Sequence, residues 1–530
     1  MYSTEDYTKK ETSILNQYFT NVDRPVFAIY NLPEVVKGAL FARYSRTTKS
    51  LRRLFLDEFY SGTEGIFSQT VTESEVNSSR AERLYDRVFS EYGDDSVAQL
   101  GSAHVACEQS SNVLTKILER GRLTSYLEQS TRYIFYDKKD VINQFLYYVP
   151  PEVFNSTNKN EYSKILDSNF VDYSFLVRKI YSFLQNKYPK SDRDSQSVYN
   201  ATMRAKACDA ARGILPAATK SNVGIFASGQ AYERMIIRMN SHPLQEVQDC
   251  ADMLLEELRK IIPSFLKRVD IEDRGIKWSN YFRNKRINME KISAITDVEA
   301  EPSLEVNLID WDKDAEKNLL AAALYEYSSI SEIQIKRIIE TLSKEEIHRI
   351  IREYVGQRSN RRHIPGRGAE RSYYRFDILS DYGSFRDLQR HRMMTVEWQR
   401  LTTNHGYITP ELIDEVGEIK RWNNVMSRSE ELFHTVNSIS GENVAQYVVP
   451  FAFKIRYVMQ MNIREAFHLL ELRTSRQGHP DYRRICQKMH TLIRDKAGHK
   501  LIADSMKYVD YQTYELERLE AERRNSNKTT

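Results

Sequence analysis

The sequence predicts a helix-rich α+β protein made of two tandem copies of one mixed α/β domain. The first observation behind this prediction is length, because 530 residues exceed what one hydrophobic core usually organises. The second is that strand-like and helix-like segments follow the same order in both halves of the chain. Since the repeat is domain-sized, we expect a tandem duplication rather than a solenoid.

The repeated segments can be paired directly. A strand over 26–30 precedes a helix ending at Tyr44, and a strand over 306–310 precedes a helix over 314–327. The apolar tripeptide Ile214-Leu215-Pro216 recurs as Val448-Val449-Pro450. The patterns also predict helices over 82–92, 112–119, 197–212, 224–240, 384–400 and 462–473.

These pairings set the expected organisation of the chain. Residues 1–267 form the first predicted domain and residues 306–510 the second. Between them, 268–305 is a charge-rich predicted linker that holds Gly275 and Pro302 and lacks a sustained apolar period. Residues 511–530 form a charged tail.

Composition excludes several classes of protein. The chain has 77 basic and 73 acidic residues, a net charge of +4, which disfavours a nucleic-acid partner. Its four scattered cysteines form neither a zinc motif nor a disulfide framework, so we expect no metal and a reducing compartment. No run of 18 apolar residues exists and the N-terminus is polar, so a cytoplasmic protein without a membrane partner is expected.

The most informative stretch is 118–133, which is unusually dense in polar groups. It contains the arginines Arg120, Arg122 and Arg132 together with short hydroxyl side chains and Glu128. Guanidinium groups bind phosphate oxygens in pairs, and short hydroxyls fill the remaining acceptor directions, so this stretch predicts an anion site. The alternative is a solvated helix face, which is the usual meaning of an isolated Arg-x-Arg.

At this point the motifs resemble two fused copies of a flavin-dependent thymidylate synthase. The family signature is Arg-His-Arg, seven residues, then Ser. It is matched here by Arg120-Gly121-Arg122 with Ser130, and its first part by Arg390-His391-Arg392. Further family elements are Ala211-Arg212-Gly-Ile-Leu-Pro216, and Asn462-Ile-Arg464 before a helix that ends in Leu472-Arg473.

The resemblance implies a central, mostly antiparallel sheet in each domain. It also implies reductive methylation of dUMP to dTMP, with FAD as cofactor and NADPH and methylenetetrahydrofolate as co-substrates. No enzymic cysteine is needed. Members are homotetramers with sites shared between subunits, so a homodimer of this fused chain would imitate the tetramer.

By the same resemblance, site residues carry over one by one. The residues expected to act in catalysis are Arg120, Arg122, Ser130 and Arg238. Those expected to bind dUMP are Ser125, Glu128, Ser130, Arg132, Arg212 and Arg238. Those expected at FAD are Arg120, Arg122, Glu128, Arg390, His391, Arg392, Asn462, His468 and Arg473.

Both halves depart from the family pattern. In the first half, Gly121 stands where the family has His, and Ala227 is taken as the counterpart of Asn462. In the second half, the counterparts of Glu128, Ser130, Arg132 and Arg212 are Trp398, Arg400, Thr402 and Gln446. We therefore hypothesise that the halves have specialised, the first for the nucleotide and the second either for supporting groups or as a structural pseudo-copy. The alternative is a divergent descendant that binds flavin or nucleotide and has a different methyl-transfer reaction or none.

Overall fold

The computed structural model describes residues 5–32, 34–60, 99, 101–132, 134–140, 143–192, 194–296, 298, 301 and 303–515. The helix predicted over 82–92 and most of the predicted tail lie outside these ranges. The strands within them are β1 Val26–Ile29, β2 Ser102–Ser111, β3 Thr124–Glu128, β4 Lys220–Ser228, β5 Val306–Trp311, β6 Tyr373–Asp381, β7 Met394–Trp398 and β8 Lys454–Asn462.

Helices occupy most of the remaining described chain. In the first half they are α1 Lys9–Leu15, α2 Glu34–Tyr44, α3 Leu51–Leu54, α4 Asn112–Leu118, α5 Pro151–Phe154, α6 Lys159–Lys187, α7 Gln196–Ala211, α8 Gly229–Asn240, α9 Gln245–Arg259 and α10 Lys277–Ile292. In the second half they are α11 Ala315–Tyr325, α12 Glu332–Ile339, α13 Lys344–Val355, α14 Tyr382–Leu388, α15 Glu411–Glu415, α16 Ile419–Ser440, α17 Glu442–Ala445, α18 Ile463–Arg473, α19 Pro480–Asp495 and α20 Lys500–Ser505. None of the described helices is long and apolar enough to cross a membrane.

Each half of the chain contributes one antiparallel sheet, and the two sheets have the same topology. The strand order is β1-β2-β4-β3 in the first sheet and β5-β6-β8-β7 in the second. In β6 and β8 buried residues alternate with partly exposed ones, as expected for a sheet with one face on a core. The predicted α+β class with an antiparallel sheet in each copy is confirmed.

The sheet registers relate the two halves residue by residue. Thr124 pairs with Ala227, and Met394 pairs with Met461 at the equivalent place. Residues around the signature are therefore displaced by 270 positions between the halves, and residues of β4 and β8 by 234. The counterpart of Asn462 is consequently Ser228, so the predicted equivalence of Asn462 with Ala227 is wrong by one residue.

The chain folds into two compact units that do not follow chain order. Unit 1 takes residues from Met1–Arg178, Ile214–Glu299 and Glu418–Pro450, and unit 2 takes Lys179–Gly213, Ala300–Gly417 and Phe451–Thr530. Unit 1 therefore holds the first sheet together with α16 and α17 from the second half. Unit 2 holds the second sheet together with α7 from the first half.

Specific contacts hold the exchanged segment, which is the second-half stretch Glu418–Pro450, in unit 1. Arg428 on α16 donates to Asp172 on α6 at 2.6 Å, and Asn169 donates to Ser429 at 3.0 Å. Further along, Ala217 N donates to Val449 O at 2.9 Å, next to a bridge between Pro216 and Pro450. The apolar motifs that end in Leu215-Pro216 and Val449-Pro450 thus contact each other within unit 1.

Two predicted helices are partly wrong. Residues 224–228 belong to β4, because their backbone groups pair with β2 on one side and β3 on the other, and the helix begins only after the Ser228 N-cap. The segment 384–400 contains helix only to Leu388, since Met394–Trp398 pairs with β8. In both cases sheet pairing overrides the local helical pattern. The predicted linker also contains a regular helix, α10.

A buried carboxyl joins parts of the two halves inside unit 1. Glu246 on α9 accepts hydrogen bonds from Ser111 N at 2.9 Å, Ser111 Oγ at 2.6 Å and Tyr447 Oη at 2.7 Å. Burial raises the pKa of Glu246 from 4.5 to about 7, although these hydrogen bonds act in the opposite direction. The folded state therefore keeps this carboxyl protonated at pH values where the unfolded chain ionises it.

We predict that the contribution of Glu246 to the stability of the protein falls as pH rises from about 5 to 8. A raised carboxyl pKa contributes stability that is complete below pH 4.5 and is lost through pH 7. For one group the loss is roughly 3 kcal/mol. Burial lowers the pKa values of His242 and His391, which acts in the opposite direction, so the test is a comparison: the unfolding free energy of Glu246→Gln, relative to that of the unsubstituted protein, should rise between pH 5 and pH 8.

Chemical denaturation at half-unit pH steps measures the slope of each unfolding free energy against pH. Glu256→Gln on the same helix is the matched control, because Arg24 lowers the pKa of Glu256 and keeps it ionised throughout the window. An unchanged slope in Glu246→Gln would contradict the assignment of this carboxyl.

Candidate functional site

The arginine signature of the first half lies in a turn between α4 and β3. Arg120 and Arg122 are exposed in this turn, and Ser125 is exposed on β3, which ends the strand order of its sheet. Because β3 is the last strand, no further described strand covers this side. The structure therefore presents two guanidinium groups and a hydroxyl at one accessible edge of unit 1.

Glu128, at the end of β3, lies instead among buried charges. Lys116 Nζ is 3.2 Å from Glu128 Oε2 and 2.5 Å from Glu119 Oε2, and all three side chains are at most 2% exposed. Paired charges are the usual condition for such burial. Contact of Glu128 with dUMP or FAD stays a prediction. The Lys116 pairing was missed, although Lys116 and Glu119 stand at the i,i+3 spacing of a helical ion pair.

The residues after β3 form a loop whose backbone is anchored to its neighbours. Ser130 N donates to Ser45 O at 3.2 Å, and Gln129 Nε2 donates to Thr47 O at 2.7 Å. Arg132 N donates to Ser130 Oγ at 3.4 Å, and the Ser130 and Arg132 side chains are partly exposed. Both therefore have fixed backbone positions and solvent-accessible polar groups.

Arg238, in the last turn of α8, adds a further arginine to those of the turn between α4 and β3. We call the region of Arg120 and Arg238 the positive corner of unit 1. The Nε of Arg238 is buried and meets no acceptor among the described residues. Burial lowers the pKa of Arg238, and the neighbouring Arg120 lowers it further. The same positive surroundings (Arg286, Arg120 and Arg238), after burial itself, lower the pKa of His242 to about 4. A corner of this kind favours an anion, which would accept from the guanidinium groups and offset their repulsion.

Gly121 is enclosed by the side chains that follow it. Tyr126 Oη accepts from Gly121 N at 2.9 Å and donates to Gly121 O at 3.1 Å. A Cβ atom at this position would lie 2.7 Å from Tyr126 Oη and 2.8 Å from Thr124 Oγ1. Unit 1 therefore has no room for the imidazole of the family signature unless Tyr126 moves.

In unit 2 the equivalent residue is His391, and both of its ring nitrogens have hydrogen-bond partners. Arg473 Nε donates to His391 Nε2 at 2.9 Å, and His391 Nδ1 lies 3.0 Å from Glu465 Oε1. Since a guanidinium only donates, the ring hydrogen is on Nδ1 and points to Glu465. Burial, followed by Arg473, lowers the pKa of His391 well below its usual range, so the ring is neutral.

The described chain contains one group of possible metal ligands whose ligand atoms lie within 4.8 Å of one another, namely His391, Glu465 and His468. A cation would need a lone pair on His391 Nδ1. The Arg473 hydrogen bond places the proton there, and the nearby guanidinium charge opposes a second cation. We therefore describe this set as a hydrogen-bonded triad of His391, Glu465 and Arg473, with the exposed His468 beside it at a ring distance of 5.4 Å.

Two of the predicted second-half residues, Arg390 and Arg473, lie with Arg212 around one carboxylate, Asp387. Its Oδ1 lies 2.9 Å from Arg390 Nη2 and 3.8 Å from Arg473 Nη1, and its Oδ2 lies 3.9 Å from Arg212 Nη1. Arg392 is exposed after this cluster, and Asn462 is the N-cap of α18, accepting from Glu465 N at 2.8 Å. Asp387 was missed by sequence reasoning. Its signal was an acidic residue three positions before Arg390 on a predicted helix.

The predicted site residues thus divide between the units. Ser125, Glu128, Ser130, Arg132 and Arg238 belong to unit 1, whereas Arg212 belongs to unit 2, where it follows α7. Arg212 is 4% exposed and its Nη2 meets no described acceptor. That Arg212 binds dUMP together with the other residues predicted for it stays a prediction.

Comparison with known proteins agrees with this duplicated architecture. A family model described as "Thymidylate synthase complementing protein" matches residues 44–264 and 307–497. A UPF0159 protein of Chlamydia muridarum is 37% identical over 524 residues, which are 98% of each chain. A UPF0159 protein of Thermoplasma acidophilum is 30% identical over 512 residues, 92% of this chain and 97% of that protein.

A flavin-dependent thymidylate synthase of Clostridium tetani is 27% identical over 178 residues, which are 33% of this chain and 66% of that protein. Fold and site together define a duplicated α+β protein with an arginine cluster beside the edge strand of each sheet. The chain belongs to the thymidylate synthase complementing protein family. Because the family model matches two successive segments, the predicted tandem arrangement is confirmed.

We predict that restoring the family imidazole in unit 1 requires removal of Tyr126. Gly121→His should lower the free energy of unfolding by about 1–3 kcal/mol, because the new side chain overlaps the tyrosine hydroxyl. Tyr126→Val introduces the residue type that Val396 supplies at the equivalent position, and should relieve this overlap. Thermal or chemical denaturation of a double-mutant cycle measures the coupling. Additive effects of the two substitutions would show that Tyr126 does not exclude the imidazole.

Proposed function

We propose that this protein is a flavin-dependent thymidylate synthase-like methyltransferase. In the proposed reaction, dUMP is reductively methylated to dTMP, with methylenetetrahydrofolate as the carbon donor, FAD as cofactor and NADPH as reductant. The observation that carries the proposal is the positive corner of unit 1, where Arg238 has a buried Nε without an acceptor beside Arg120. Membership of the family supplies the reaction class.

The nucleotide is assigned to unit 1 on the chemistry of its donors. Arg132 and Ser130 lie on a loop anchored at Ser45 and Thr47 after the C-terminal end of β3, and Arg120 and Arg122 are exposed before its N-terminal end, where Ser125 is also exposed. A phosphate monoester accepts from several guanidinium and hydroxyl groups at once. We propose that Ser130 and Arg132 bind the dUMP phosphate, and that Ser125 and Arg238, near Arg120 at the other end of β3, contact other parts of the bound ligands.

The same donor chemistry fits an anionic cofactor group. When bound, FAD supplies hydride-transfer chemistry, and fixed guanidinium groups stabilise the negative charge of a reduced flavin. The unpartnered Arg238 Nε and the exposed Arg120 and Arg122 are groups of this kind. Gly121 adds no side chain, so binding at this turn depends on the arginines and on backbone amides.

Unit 2 is proposed to support rather than duplicate this site. The residues predicted there for FAD already bind one another, with Arg473 on His391, His391 on Glu465, and Arg390 on Asp387. Its counterparts of Ser130 and Arg132 are Arg400 and Thr402. These features favour one nucleotide site per chain, and we propose that two chains pair to imitate the family's tetramer.

We predict that the purified protein binds oxidised flavin and that its visible spectrum responds to dUMP. Arg132→Ala should lower dUMP affinity at least about tenfold, because a charge-assisted contact to phosphate is lost. Spectral titration, repeated by calorimetry, measures this affinity. Arg178→Ala is the matched control, since it removes one positive charge from a 68% exposed side chain of the same unit.

Unaltered affinity in Arg132→Ala would remove this loop from the nucleotide site. A protein that takes up neither flavin nor dUMP would favour the alternative function, a divergent descendant without thymidylate synthesis.

A further inference from the structure

Asp387 occupies the position in unit 2 where an anionic ligand of the arginine cluster would lie. Its two carboxylate oxygens face Arg390 at 2.9 Å, Arg473 at 3.8 Å and Arg212 at 3.9 Å. The carboxylate side chain is only 15% exposed. Three guanidinium groups around one acceptor is the arrangement that proteins use for phosphate.

Two of these arginines are held in place by groups other than Asp387. Arg390 Nε donates to Arg386 O at 3.2 Å. Arg473 Nε donates to His391 Nε2, and His391 is itself fixed by Glu465. The guanidinium positions are therefore built into the fold and do not require the Asp387 charge.

The third arginine has donor capacity to spare. Arg212 is 4% exposed, and its Nη2 has no acceptor among the residues that the structure describes. Asp387 lies 3.9 Å from its Nη1, beyond hydrogen-bond distance. Asp209 Oδ1 lies 3.5 Å from Arg212 Nε, so the two carboxylates still leave Arg212 Nη2 without a described acceptor, whereas a phosphate offers more acceptors.

We propose that Asp387 is an internal counter-anion that excludes phosphate-bearing ligands from unit 2 and so directs the nucleotide to unit 1. At the equivalent position, 270 residues earlier, unit 1 has the apolar Ile117. A phosphate entering unit 2 would meet a like charge among the arginines, which costs several kcal/mol. This inference rests on the proposed function for the identity of the nucleotide, but not for the anion chemistry of unit 2.

The test is the number of dUMP molecules bound per chain, measured by isothermal calorimetry. The unsubstituted protein should bind one dUMP and Asp387→Asn two, since the amide keeps the shape and removes the charge. Arg132→Ala should weaken its one site at least about tenfold, and Arg132→Ala with Asp387→Asn should regain one site of the original affinity. If Asp387→Asn leaves the number at one, or the double variant regains no site of the original affinity, Asp387 orients the arginines and the proposal is overturned.

Asp377→Asn is the matched control, because Asp377 also pairs with an arginine of unit 2, Arg456, at 2.9 Å. It should leave dUMP binding unchanged, and circular dichroism checks that each variant is folded.

A second probe separates this inference from the proposed function. Inorganic phosphate, followed by ³¹P NMR, should bind Arg132→Ala with Asp387→Asn at least about tenfold more tightly than Arg132→Ala alone, in which the phosphate site of unit 1 is weakened, whatever nucleotide the protein uses. Loss of dUMP binding in every variant with this phosphate gain would reject the proposed substrate and keep the counter-anion. Equal phosphate affinities would reject the counter-anion.

Discussion

Balance of buried positive charge is the constraint on which the arrangement of both units depends. Each unit places a basic side chain at the end of the helix that precedes its signature turn, and burying such a charge requires a nearby partner. Unit 1 surrounds Lys116 with Glu119 and Glu128, and the arginines of its turn, Arg120 and Arg122, are exposed. In unit 2 the carboxylate Asp387 pairs with Arg390, an arginine that follows the helix. The same topology is thereby compatible with an open anion site in one copy and a self-neutralised one in the other.

Exchange of segments explains how one chain can hold two dissimilar sites. Unit 2 receives Arg212 from the first half of the chain, and unit 1 receives Tyr447 from the second half. Tyr447 donates to the buried Glu246, so the exchanged segment takes part in the polar core of unit 1. A substitution in residues 179–213 or 418–450 therefore changes the unit that contains the other half's sheet. The different replacements at Arg212 and Gln446 are accordingly properties of two different units.

The sequence predicted the α+β class, the duplication and the signature turn, because motif order and spacing are local features of the chain. It failed where a contact between distant segments decides the outcome. Residues 224–228 have a helical pattern, yet two neighbouring strands pair with them. The burial of Glu128 depends on Lys116, twelve residues earlier, and the surroundings of Arg212 depend on which unit receives α7. One-residue errors also matter, since the N-caps Ser228 and Asn462 define a register that motif matching misplaced.

That register reveals a coordinated difference between the copies. The residues of the imidazole triad are His391, Glu465 and Arg473 in unit 2, and their counterparts in unit 1 are Gly121, Ala231 and Met239. All three polar groups are absent together in unit 1. A buried network with one member missing leaves polar atoms unsatisfied and is less stable than either the complete network or none. The loss of one member therefore favours loss of the others. In unit 1 the Tyr126 hydroxyl forms hydrogen bonds with the backbone of Gly121. Unit 1 thus has an exposed turn at Arg120 and Arg122, whereas unit 2 has the hydrogen-bonded triad of His391, Glu465 and Arg473.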